Sequence, residues 1–109
     1  MKEGIYLKFF MQENQHYHHL PLYEWILQQA KKLGLPGGSA FKAIAGYGRD
    51  GVMHEDHFFE LAGQLPVELV FMLDEAQAGR LLDVVAETGL PVFYIRIPAQ
   101  YGTLNGASA

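Results

Sequence analysis

Five histidines fall in two groups: His16, His18 and His19 in one polar stretch, His54 and His57 in another. Imidazole is a common ligand for zinc or copper, and a three-residue spacing such as that of His54 and His57 can bring two rings to one ion. A site drawn from His54, His57, His16 and His18 is one reading; solvated loop histidines are the plainer one. His54-Glu55-Asp56-His57 also joins a base to carboxylates, yet no serine sits in a recognisable nucleophile setting. Cysteine is absent, which removes thiolate nucleophiles, thiolate metal sites and disulfides. The residues therefore predict a non-catalytic chain with no required cofactor.

A second group is cationic. Lys8, Lys42, Arg49 and Arg96 lie on or beside apolar runs. Each can pair with a phosphate or carboxylate in a cleft. For Arg49 ordinary strand charge is an equal reading; for Lys8, Lys42 and Arg96 strand charge, or a salt bridge with Glu60 or Glu68, is the plainer one. Arg49 follows Gly46-Tyr47-Gly48, where glycine lets the backbone approach an anion closely; the same glycines could simply relieve a bulge. No P-loop or dinucleotide fingerprint occurs.

The elements that must hold these residues follow from periodicity. GIYLKFFM at 4–11 alternates and predicts a strand with two partly apolar faces. Pro21 suits a first helical turn, and Leu22, Ile26, Ala30 and Leu33 form one stripe that Gly34 can end. A strand is expected over 39–47, then a charged loop over 48–57. Strand character returns at 58–62 and again from Pro66 to Leu73. Asp74 and Gln77 have the form of a capping box, opening a helix on Ala78, Leu81, Leu82 and Val85 that Gly89 ends. PVFYIRI at 91–97 reads as the last strand. The domain is expected over 1–98, with a flexible tail over 99–109.

The order βαββαβ predicts an α+β, ferredoxin-like fold: a four-stranded antiparallel sheet with two helices on one face. The opposite face is expected to carry Tyr6, Phe10, Val70, Met72 and Tyr94. That is too apolar to stay wet, and a symmetric oligomer would cover it. A chain of 109 residues with net charge −4 fits one domain and lacks the basic footprint of a nucleic-acid binder. No apolar run has membrane-spanning length, so no membrane insertion is expected and the cytoplasm is the default location.

Several segments carry a resemblance: Pro21-Leu22-Tyr23-Glu24, Ala30-Lys31-Lys32-Leu33-Gly34-Leu35, Gly37-Gly38-Ser39-Ala40, Ala45-Gly46-Tyr47-Gly48, Leu65-Pro66-Val67-Glu68-Leu69 and Leu73-Asp74. In this order, from about Tyr6 to Ile97, the chain resembles the PII-like proteins of the domain-of-unknown-function family 190. The resemblance implies a homotrimer that binds a small effector, an adenine nucleotide among the candidates, in clefts between subunits. It implies that the loop after the second strand, the T-loop, signals to a partner protein such as a membrane transporter. Gly46, Tyr47 and Gly48 match the base of that loop, and Thr88-Gly89 falls in the short loop before the last strand. Together with the cations, the expected effector residues are Lys42, Gly46, Tyr47, Gly48, Arg49, Thr88, Gly89 and Arg96. The alternative is a CutA-like, histidine-rich trimer that senses zinc or copper.

Overall fold

The computed structural model describes residues 1–47, 53–55 and 65–106, with 53–55 described as backbone only. Four strands build the main sheet: β1 (Lys2–Gln12), β4 (Ser39–Lys42), β7 (Pro66–Leu73) and β8 (Phe93–Tyr101). Their order is β4-β7-β1-β8 and every pairing is antiparallel. Two small ribbons lie outside it: β2 (His16–Tyr17) with β3 (Leu20–Pro21), and β5 (Ala45–Tyr47) with β6 (Met53–Glu55). The helices among the described residues are α1 (Leu22–Lys32) and α2 (Glu75–Ala86). This is the expected ferredoxin-like arrangement.

Strict alternation explains the sheet. Ile5, Leu7, Phe9 and Met11 of β1 and Val67, Leu69, Phe71 and Leu73 of β7 are all buried. They meet Leu22, Ile26 and Ala30 of α1 and Ala78, Leu81 and Val85 of α2 in one core. Helix boundaries follow local chemistry. Asp74 Oδ1 accepts from the Gln77 N–H at 2.7 Å, and the Asp74 N–H donates to Gln77 Oε1 at 2.9 Å, so the capping box is complete. Gly34 and Gly89, at φ +77° and +72°, turn the chain just past each helix in a conformation that glycine adopts without strain.

Gly38 has a packing reason. A Cβ placed there would sit 2.3 Å from the buried Phe71 ring. Gly38→Ala should therefore cost about 1–3 kcal/mol through overpacking, read as a lower urea midpoint at unchanged slope. An unchanged midpoint would show that the Phe71 ring gives way freely.

The structure corrects three expectations. The strand expected over 39–47 breaks at Ala43 and Ile44: β4 pairs with β7, whereas β5 leaves the sheet and pairs with β6. The last strand runs past Ile97 to Tyr101, pairing Gln100 with Glu3 and Tyr101 with Lys2, so residues 99–101 belong to the sheet rather than to a loose tail. Tyr94 does not lie on the open face. The register sets Phe93 opposite Phe10, Ile95 opposite Lys8 and Ile97 opposite Tyr6, and paired residues point the same way. Tyr94 therefore stands on the helix side, 6.5 Å from the Phe9 ring. The strand expected over 58–62 lies outside the described residues.

The open face thus carries Tyr6, Phe10, Val70 and Met72 together with Phe41, Phe93, Ile95 and Ile97. Phe41 is 58% exposed and Ile97 49%. Lys8 crosses this face and its Nζ pairs with Glu68 Oε1 at 2.8 Å. Donation of a hydrogen bond to the Glu68 carboxylate raises the Lys8 ammonium above its usual 10.5, against the opposing pull of burial. A pKa raised on folding gives stability that is full below the unfolded value and lost as pH rises through the folded one. The stability gap between the native chain and Lys8→Met should therefore hold near neutrality and narrow above pH 10.5. Urea midpoints against pH check this; a gap unchanged at high pH would contradict it.

Candidate functional site

Three strand ends meet at one end of the sheet: the C-terminus of β1 and the N-termini of β7 and β8. There the β5–β6 ribbon leaves the sheet, held by a bond from the Ala43 N–H to the Pro66 carbonyl at 2.8 Å. Phe10, Met11, Gln12, Gln15, Tyr47, Pro66, Pro91 and Phe93 enclose a cleft of about 600 Å³, within the usual range for small-molecule sites.

Its walls have distinct origins. Pro66 and Pro91 have fixed φ and no N–H to satisfy, so they form stiff apolar edges at or just before the starts of β7 and β8. Phe10 and Phe93 are register partners whose rings lie 5.4 Å apart. Tyr47 is 69% exposed and closes the cleft from the ribbon. Gly46 lies beside Pro66, and a Cβ there would meet Pro66 Cγ at an ordinary 3.6 Å, so the space itself does not demand glycine. Gln12 and Gln15 supply amides. Gln12 Oε1 is buried and has no hydrogen-bond partner among the described residues. The cleft therefore offers aromatic faces for a flat ring and amides for its edge, and no cation lines it among the described residues.

Of the residues expected from the sequence, Tyr47 lines this cleft, and Gly46 is next to it. Gly46 pairs with His54 across the ribbon and Tyr47 with Met53. Thr88 and Gly89 form the turn that leads to Pro91. The Thr88 hydroxyl donates to the Val85 carbonyl at 2.7 Å and accepts from the Leu90 N–H at 3.1 Å, so its described contacts hold the turn. Lys42 is on the helix side of its strand, where Nζ pairs with Glu13 Oε2 at 3.0 Å. Arg96 pairs with Glu75 at the first turn of α2. The acids that take these cations are thus Glu68 for Lys8, Glu13 for Lys42 and Glu75 for Arg96. Gly48, Arg49 and His57 lie outside the described residues.

The histidines of the first connector are apart from the cleft. His16 Nδ1 lies 2.6 Å from the Asn14 carbonyl, and the His18 ring lies 4.2 Å from that of Tyr17. His18 and His19 occupy the left-handed region at φ 52° and 67°, the tip of the β2–β3 ribbon. Among the described residues, no three His, Cys, Asp or Glu side chains come together as a metal would need. Among the same residues, no helix is long and apolar enough to cross a membrane.

Comparison with known proteins agrees with this architecture. A UPF0166 protein of Aquifex aeolicus (strain VF5) is 33% identical over 79 residues, which is 72% of this chain and 75% of the relative. A PII-like signaling protein from Thermus thermophilus superposes with a TM-score of 0.56 at 19% identity, covering 91% of this chain and 90% of that one. CPII from Thiomonas intermedia K12, a nitrogen regulatory PII-like protein solved with ADP, AMP and bicarbonate, also gives 0.56 at 19% identity. It covers 90% of this chain and 89% of its own. The model of the DUF190 family, described as an uncharacterized ACR, matches residues 4–91, and the chain belongs to that family.

Proposed function

We propose that this protein is a non-catalytic, PII-like regulator that binds a small anionic effector at the cleft and reports its occupancy through the 48–57 loop. The carrying observation is the position of Tyr47: it is both a wall of the cleft and part of the ribbon at the base of that loop. A ligand that touches Tyr47 changes the contacts of the ribbon and biases what the loop presents to a partner protein, of which a membrane transporter is one kind. An adenine nucleotide is the first effector to test. Its base suits Tyr47, Phe93 and the two glutamines, and CPII, of the same fold, was solved with ADP, AMP and bicarbonate. Arg49, two positions after Tyr47, would meet the negative charge.

The open sheet face supports a second part of the reading, a symmetric oligomer, for which the family resemblance suggests three copies. A neighbouring subunit would complete the cleft and supply cations that the described lining lacks. Thermal unfolding with ADP, AMP, bicarbonate, zinc and copper tests the proposal. An effector at a hundred times its dissociation constant adds about 2.7 kcal/mol to stability. A shift with a nucleotide that disappears in Arg49→Ala supports the reading. A shift with zinc or copper alone would replace it by metal sensing.

A further inference from the structure

The open face has its charge at the centre. Lys8 stands opposite Val70 on one side and Ile95 on the other, and Glu68 stands opposite Phe10. The Lys8 Nζ lies 5.8 Å from the centre of the Tyr6 ring and 5.7 Å from that of Phe10, so aromatic side chains and one carboxylate surround it. The pair is already half-buried in the protomer, at 21% and 36% side-chain exposure. Methionine at both places would make a more cohesive apolar face, and burying an ion pair is no gain in stability over that.

What the pair adds is selectivity. A flat apolar sheet face can dock against its own copies in several registers of similar energy. A central ion pair makes most of them costly, because a misplaced copy strips water from the charges or pulls Lys8 from Glu68. The occupant is further copies of this chain. Lys8 and Glu68 are satisfied within the protomer and leave the middle of the face without net charge, so the face can meet itself by rotation without an unmatched charge. We propose that the Lys8–Glu68 pair sets the register and the number of copies in the assembly. This rests on the reading above that copies cover the face.

Native mass spectrometry of four proteins tests it, with far-ultraviolet circular dichroism as the check on folding. The unaltered chain should give a single oligomeric mass. Lys8→Met with Glu68→Met should associate at least as tightly and spread over more than one stoichiometry. Lys8→Met alone leaves Glu68 buried and unpaired and should dissociate at a concentration about a hundredfold higher or more. Lys8→Glu with Glu68→Lys should return to a single mass. A single unchanged mass for the double methionine variant overturns the proposal and leaves the assembly standing. Mixed masses for the reversed pair overturn it as well, should the methionine variant not fold. An unaltered chain that is monomeric at micromolar concentration overturns both the proposal and the reading beneath it.

Discussion

Ile97→Asp should break the proposed assembly of copies over the open sheet face into folded monomers. Ile97 lies opposite Tyr6 on the face turned away from the helices and is 49% exposed in the protomer. Its side chain adds little to the core formed on the other side of the sheet. In a covered face, an unpaired carboxylate has neither water nor a cation. Such a charge costs about 3–5 kcal/mol, a hundredfold to several-thousandfold in dissociation constant. Sedimentation velocity should show the monomer mass with native circular dichroism. An unchanged mass would show that copies do not bury this face.

Phe71→Ala should cost about 3–5 kcal/mol of folding stability. Phe71 is 1% exposed, packs edge-on to Phe9 with ring centres 6.2 Å apart, and fills the space left by Gly38. Truncation removes the apolar transfer energy and opens a cavity between sheet and helices. Against the 5–15 kcal/mol typical of a domain, that loss is large. It should appear as a urea midpoint far below that of Phe71→Leu, which keeps most of the volume. Equal midpoints would mean that the core collapses into the gap.

Periodicity made most of this fold legible. The stripes on both helices, the Asp74–Gln77 cap and the alternation in β1 and β7 are local signals, and local chemistry sets them. The error at Tyr94 came from what alternation omits. It shows that Phe93, Ile95 and Ile97 share a face; it does not say which face of the sheet that is. Only the pairing of Phe10 with Phe93 decides, and that register is a long-range property. The break at Ala43 and Ile44 has the same origin, since a strand that changes partner can keep its alternation.

The cleft was legible only in part. Gly46 and Tyr47 stood out as a glycine-flanked aromatic. Pro66, Pro91 and Phe93 did not, because they look like ordinary strand starts until the antiparallel order brings those starts to one end. Charge alone makes the cations look like ligand-binding groups, yet Lys8, Lys42 and Arg96 are each engaged by a carboxylate of the same chain.

Calorimetric titration of ADP into the intact protein and into Tyr47→Ala bears most directly on the regulatory reading. Stacking of a base on an aromatic ring contributes about 1–3 kcal/mol, so the variant should bind about 5- to 150-fold more weakly. Saturable binding to the intact chain and that loss in the variant are the expected results. Saturable binding of equal strength to both would remove Tyr47 from the site, and no saturable heat with ADP would contradict an adenine-nucleotide effector at this cleft.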